Sequence, residues 1–248
     1  IHLSDTSVTA ISFIKSNATF IFAKITCNNN TALKGGALYL ESSNLVFLNS
    51  SATFTDNQAD LGGGLYLLSS TVSFISSNLN CNSNIAQYFG GCLYLLSSIV
   101  SFQNTTDALF FNNTAFNAGG GMFLVSQSTL NLTAPSHITF LNNSASLTGG
   151  AIYSDDNIVS SKVAQPQCFF NLTYSIEFAS EDSSISLYFY ANNAPAGSVL
   201  FGGNIDTCTP VTTTKSDLND VFVVKSTLTN DTSTFSSTPL YMYLCNCS

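Results

Sequence analysis

Five times along the chain a glycine pair is followed by a small residue and a short apolar run. The instances are Gly35-Gly36-Ala37-Leu38-Tyr39-Leu40, Gly62-Gly63-Gly64-Leu65-Tyr66-Leu67, Gly90-Gly91-Cys92-Leu93-Tyr94-Leu95, Gly119-Gly120-Gly121-Met122-Phe123-Leu124 and Gly149-Gly150-Ala151-Ile152-Tyr153-Ser154. Successive pairs lie 27, 28, 29 and 30 residues apart. Five or six residues before each pair stands an Asn, with Phe or Cys three residues earlier: Cys27/Asn30, Phe54/Asn57, Cys81/Asn84, Phe110/Asn113 and Phe140/Asn143. A fixed period of this length signals a stacked-repeat architecture. Between the landmarks, apolar and polar residues alternate with period two and are broken by Ser/Asn clusters, which reads as short strands joined by turns. No window carries helical spacing. The expectation is an all-β, right-handed parallel β-helix, a solenoid with three strands per coil of about 27–30 residues, its coils stacked about 4.8 Å apart.

Each landmark has a physical task. A glycine pair permits a sharp corner or a close backbone approach. Asn residues stacked at another corner can bond from coil to coil as a ladder. The Phe or Cys three residues earlier is a core position, where Cys acts as a small hydrophobe. Cys27 and Cys81 share that position two coils apart, about 9–10 Å, too far for a disulfide. Both are therefore expected to be buried free thiols.

These paired motifs resemble the repeats of the chlamydial polymorphic outer-membrane proteins, defined by GGA[ILV] and FxxN, as also used in large extracellular invertebrate proteins. GGAL at 35–38 and GGAI at 149–152 match outright, as do FTDN at 54–57, FFNN at 110–113 and FLNN at 140–143. GGG or GGC stands at the other three glycine sites, and Cys replaces Phe at 27 and 81. The resemblance spans about residues 1–155 and weakens toward 203. It implies the fold, surface display and adhesion, and carries over no active site.

The repeat divides the chain into a β-helix of about six coils over 1–203 and a module over 204–248. Ile1-His2-Leu3 aligns with Leu38-Tyr39-Leu40, so the first coil is expected to be long, with an insertion around 17–24. A loop insertion is expected near 157–180. A degenerate sixth coil follows around Asn193-Ala194-Pro195. Residues 204–248 lose the pattern and are expected to form an irregular, disulfide-containing cap or docking module. Cys168, Cys208, Cys245 and Cys247 are expected to pair among themselves, which places the protein in an oxidising compartment.

Charge narrows the function. Asp, Glu, Lys and Arg make up 8% of residues, the net charge is −8, and arginine is absent. No basic stripe can neutralise phosphates, so nucleic acid is not an expected partner, and an anionic membrane surface is disfavoured too. No stretch reaches the roughly 18 apolar residues of a membrane span. Parallel β-helices include pectin-degrading enzymes, whose chemistry needs clustered carboxylates with a basic residue or calcium beside them. Asp155-Asp156 is the one adjacent acid pair in the repeat region and reads as a solvated turn. Asp56 and Asp60 flank a corner, Glu181-Asp182 reads as a loop, and His137 has no repeated partner. No enzymatic function, metal site or cofactor is expected.

Two non-enzymatic classes remain. In one, an extracellular structural and adhesive β-helix self-associates end to end into a filament or a long surface stalk. In the other, an adhesin binds a carbohydrate or a cell-surface receptor. Tyr39, Tyr66, Tyr94, Phe123 and Tyr153 would form an outward ladder on the glycine strand, a candidate binding face unless the rings are merely stacked or covered. Ten Asn-x-Ser/Thr sequons, at Asn17, Asn29, Asn49, Asn104, Asn112, Asn131, Asn142, Asn171, Asn230 and Asn246, are candidate N-linked glycan sites. Asn29, Asn112 and Asn142 directly precede ladder asparagines and should share one corner. Asn49, Asn104 and Asn131 should lie near a second.

Overall fold

The computed structural model describes residues 1–126, 128–155, 170–173, 185–195 and 200–202. These residues build an all-β parallel solenoid of about five turns. The strands of one coil, Leu38–Glu41, Asn44–Leu48, Ser51–Thr55 and Gln58–Leu61, recur in the next as Leu65–Leu68, Thr71–Ile75, Asn78–Asn82 and Ile85–Phe89. Four short strands per coil thus replace the three expected. The added break is a corner at Asn49-Ser50, and in later coils Ile99–Phe111 and Thr129–Leu141 run through it as single long strands. Among the described residues the coils join into three sheets of eleven, seven and five strands. The glycine strands pair in register through Leu38, Leu65, Leu93, Met122 and Ile152.

The corners share a local design. A residue with left-handed φ comes first and a buried hydrogen-bonding residue follows, as in Ser42-Ser43, Asn49-Ser50 and Asp56-Asn57. The left-handed region is costly for most side chains and mildest for short polar ones, so Ser, Asn and Asp collect there. The fourth corner uses Gly35, Gly62, Gly90, Gly119 and Gly149, at φ of +57° to +69°.

Inside, columns of one residue type run along the axis. Phe47, Phe74 and Phe102 stack with centroids 4.8 and 5.2 Å apart, and Phe110, Phe140 and Phe189 with 4.7 and 5.1 Å. Leu38/Leu40, Leu65/Leu67 and Leu93/Leu95 face them from the glycine sheet, all buried. Stacking at the coil spacing lets the inner rings use both faces.

The first coil corrects the expected register. His2-Leu3-Ser4 pairs with Thr26-Cys27-Asn28, so Leu3 belongs to an FxxN-type strand and is not the equivalent of Leu40. The equivalent of Leu38 is Ile11, and Asn17–Ile21 pairs residue for residue with Asn44–Leu48. The stretch 17–24 is ordinary coil, without an insertion. The misalignment arose because the first coil lacks the glycine pair that would have anchored it. Further along, Phe170–Thr173, within the expected loop insertion, pairs with Leu130–Thr133. Leu200-Phe201-Gly202 pairs with Ile152-Tyr153-Ser154. The module at 204–248 lies outside the described residues.

Candidate functional site

The asparagine corner is the most regular polar array in the protein. Asn30, Asn57, Asn84, Asn113 and Asn143 are fully buried. Asn57 Nδ2 donates to Asn84 Oδ1 at 3.0 Å and to the Cys27 carbonyl at 3.0 Å. Asn57 Oδ1 accepts from the backbone N–H and Nδ2 of Asn30, at 3.1 and 2.9 Å. Two donors and two lone pairs are thereby all used, the full capacity of a primary amide. The pattern repeats through Asn84, Asn113 and Asn143. Thr6 ends it at the first coil, its backbone N–H and Oγ1 both donating to Asn30 Oδ1.

The ladder has one more member among the described residues. Asn192 accepts from Asn143 and donates to the Phe140 carbonyl, which makes Phe189-Tyr190-Ala191-Asn192 a sixth FxxN. The signal was present, but a distance of nearly fifty residues from Asn143 hid it. Two further rows also went unread. Ser43 donates its backbone N–H to Ser70 Oγ, Ser70 to Ser98 and Ser98 to Ser128, at 3.0–3.2 Å. An alanine stands two residues after each ladder asparagine, at 32, 59, 86, 115, 145 and 194. Recurrence of Ser and Ala at fixed offsets from the landmarks would have revealed both.

The aromatic ladder lies on the outer side of the glycine sheet, alternating with the buried leucines. Its rings are stacked: Tyr39 on Tyr66 at 5.5 Å and 2°, Tyr66 on Tyr94 at 5.1 Å and 5°, Tyr94 on Phe123 at 5.3 Å and 12°, Phe123 on Tyr153 at 4.7 Å and 3°. Tyr66 is only 2% exposed and Phe123 5%. Lys34 Nζ sits 4.9 Å from the Tyr66 ring centroid, and Phe89 packs on Phe123 at 4.6 Å. Desolvation first, then the hydrogen bond to Glu41, pushes the Tyr39 hydroxyl up to about 12. Burial likewise raises Tyr94. Recognition of a sugar by an aromatic platform needs open ring faces, and both faces of Tyr66, Tyr94 and Phe123 are occupied by neighbouring rings.

The sequons separate by position. Asn29, Asn112 and Asn142 have left-handed φ at the asparagine corner, and Asn49 and Asn104 at the added corner, all exposed. The Asn29 amide donates to Asp5, which holds that carboxyl below its usual range. Asn17 is exposed at the start of a strand. Asn131 departs from the expected corner: it is half-buried within Thr129–Leu141, paired with Ser101. It stands 12 residues after Gly119, two short of the 14 that separate Asn49 and Asn104 from their glycines, and one residue added between Val125 and Thr129 sets it a further position before the corner. Asn171 lies in the strand Phe170–Thr173. Asn230 and Asn246 lie outside the described residues.

The cysteines bring a second correction. Cys27 is a buried free thiol, and burial pushes it up to about 11. Cys81, expected to be free as well, is bonded to Cys92, with Cα atoms 6.1 Å apart. The separation between coils excluded only a bond to Cys27. The partner lies within the same coil, at the third position of the glycine motif. Cys168, Cys208, Cys245 and Cys247 lie outside the described residues. Among the acids, Asp56 is an exposed corner residue, Asp60 is half-buried, and Asp155 ends the strand Ile152–Asp155. Asp156 and Glu181-Asp182 lie outside the described residues. His137 is half-buried in a strand. Among the described residues no three His, Cys, Asp or Glu side chains gather as a metal site, and no helix is long and apolar enough to cross a membrane.

No curated protein and no solved structure matches the chain. The family model of the Chlamydia polymorphic membrane protein repeat matches residues 24–41 and 137–155, each running from an FxxN strand into the following glycine strand. The resemblance carried by the two motifs therefore stands at both ends of the regular coils.

Proposed function

We propose that this chain is an extracellular, surface-displayed glycoprotein, structural and adhesive rather than enzymatic. Its coils are right-handed, in line with the strong handedness of parallel crossovers, and they associate end to end into a filament or a long stalk. The asparagine ladder carries the reading. It commits the polar groups of a whole corner to holding neighbouring coils in register, from Thr6 to Asn192. Stacked repeats of this kind make stiff, quasi-one-dimensional bodies that present long surfaces. The name of the matched repeat family, a membrane protein repeat, supports display at a cell surface. Exposed sequon corners support a glycan coat, which would solvate a surface poor in charge. Negative-stain imaging with sedimentation tests the assembly: rods longer than one chain, with mass rising with concentration, are expected. A monodisperse monomer at high concentration overturns the end-to-end association.

A further inference from the structure

The five-stranded sheet widens partway along the solenoid. A single residue, Leu33, stands between Ala32 and Lys34, and a single residue, Asp60, between their partners Ala59 and Leu61. From the next coil on there are two: Gln87-Tyr88 before Phe89, Phe116-Asn117 before Ala118 and Ser146-Leu147 before Thr148. The added residue is a bulge, a device that re-aims side chains, and each of these three coils turns one large apolar side chain outward. Tyr88 is 47% exposed, Phe116 48% and Leu147 57%. They are neighbours: the Asn117 N–H donates to the Tyr88 carbonyl, and the Leu147 N–H to the Asn117 carbonyl. Exposed Pro195 extends the row into the coil of Asn193, which pairs with Ser144.

Single exposed apolar residues need no explanation, but a row of them across successive coils marks an interaction surface. Its surroundings select the partner. Residues 85–89, 114–118, 144–148 and 193–195 include no charged side chain, in a chain of net charge −8. Like charges facing each other across a contact between copies are costly, and here there are none to face. A second copy also carries the same coil spacing, so it meets the row at every coil, which a globular partner does not. No Asn-x-Ser/Thr sequon lies within this side. Asn29, Asn112 and Asn142 stand at its bordering corner, where glycans would frame the row.

We propose that the five-stranded side docks laterally on a second copy of this chain, antiparallel, through Tyr88, Phe116 and Leu147. A two-fold axis at Phe116 sets Phe116 on Phe116 of the second copy and Tyr88 opposite Leu147. Asp60 then falls opposite the uncharged coil of Asn193. A parallel pair would instead set Asp60 on Asp60 and Lys34 on Lys34. Strand rise and coil spacing give this side about 16 by 24 Å, so packing it on a copy buries on the order of 1,000 Å² in total. That area is at the low end of specific interfaces and fits a dimer with a Kd on the order of 10–100 µM. The contact goes beyond end-to-end association, because it closes at two copies whereas end-to-end growth continues.

The test is sedimentation of the full chain from about 1 µM to about 500 µM, with negative-stain imaging. Pairs are expected: mass reaching twice that of one chain, or rods of double width where end-to-end growth also occurs. Phe116→Asp places two carboxylates across the axis and should raise the Kd at least about tenfold, returning single-width rods of unchanged length. Leu147→Asp, also at an exposed position, should weaken pairing too, so a folding failure of one variant leaves the other to decide. Phe116→Cys should give several-fold more covalent dimer with a short bismaleimide than Leu33→Cys or the parent chain, because Leu33 lies three coils from the axis. A chain that stays unpaired up to about 500 µM overturns the proposal. So does pairing that folded Phe116→Asp and Leu147→Asp leave unchanged, or cross-linking of Leu33→Cys equal to that of Phe116→Cys.

Discussion

At Asn84 the amide donates to the Phe54 carbonyl and to Asn113 Oδ1, while its oxygen accepts twice from Asn57. Asn84→Asp keeps the acceptor and loses both donors, leaving a buried carboxyl facing two oxygens. Burial and those oxygens raise its folded-state pKa above the ordinary aspartate value near 3.9. The folded chain then binds the proton more tightly than the unfolded one. Stability is fully present below the unfolded pKa and is lost as pH rises through the folded pKa. Denaturant midpoints should therefore place Asn84→Asp closer to the parent at about pH 4 than at about pH 7. Asn84→Ala should lose about 3–5 kcal/mol at both, because it strands buried donors on Asn57. Equal losses for Asn84→Asp at the two pH values would contradict the hydrogen-bond assignment. The cysteines allow a second experiment at this scale. Cys27 and Ala37 occupy the positions of Cys81 and Cys92 two coils earlier, as the pairings Cys27↔Phe54↔Cys81 and Leu38↔Leu65↔Leu93 show. Ala37→Cys should oxidise with Cys27 to a second cross-core disulfide, detected by mass mapping, and stabilise the coil by roughly 2–3 kcal/mol. A variant that keeps two free thiols under oxidising conditions would count against the equivalence of the two coils.

The glycine corner shows that the pair contains two different constraints. Gly90 has φ +69°, a conformation open to few side chains. Gly91 has ordinary φ, but a Cβ there would overlap the carbonyl oxygen of Gly120 in the next coil. At the third position the restriction differs from coil to coil: a Cβ on Gly121 would still overlap the Ala151 carbonyl oxygen, whereas one on Gly64 would come 3.1 Å from the Cys92 carbonyl oxygen and 3.2 Å from Cys81 Sγ, and Ala already stands at 37 and 151. Gly91→Ala is expected to cost more than about 3 kcal/mol, and Gly64→Ala to stay within about 1 kcal/mol, compared by thermal melting. Similar losses for both would show that the coils shift to accommodate a methyl group. This corner also explains what could be read in the sequence. Glycine and asparagine mark backbone positions that few other residues can fill, so the coil boundaries of 35–155 followed from them. Ile11 and Leu3 offered no such marks, because Thr9-Ala10 stands before Ile11 where later coils carry glycines. The aromatic ladder was placed on the correct strand, but its closure could not be read: ring orientation depends on what stacks above and below. The pairing of Cys81 with Cys92 was hidden because it crosses the core between two motifs that the sequence presents as separate.

Over the whole molecule, the corner rows determine which surfaces stay open. Asn29, Asn112 and Asn142 belong to one corner column, and Asn49 and Asn104 to another. Along a column, neighbouring coils are only about 4.8 Å apart, less than the width of a sugar ring and its shell. Asn112 and Asn142 are such neighbours, since the Asn112 backbone N–H donates to the Leu141 carbonyl. Asn49 and Asn104 are separated by the coil of Ser76, which bonds to Asn104. In a eukaryotic secretory host, site-by-site glycoproteomics should therefore find Asn49 and Asn104 modified together on the same molecules. Asn112 and Asn142 should compete, with one of them incompletely occupied. Asn112→Gln should then raise occupancy at Asn142 and leave Asn49 and Asn104 unchanged. Full, simultaneous modification of Asn112 and Asn142 would show that the two glycans splay apart and that the rows do not limit each other. Unmodified asparagines at all five corners would remove the glycan coat altogether, and a bacterial, unglycosylated adhesin built on the same ladders would become the better account.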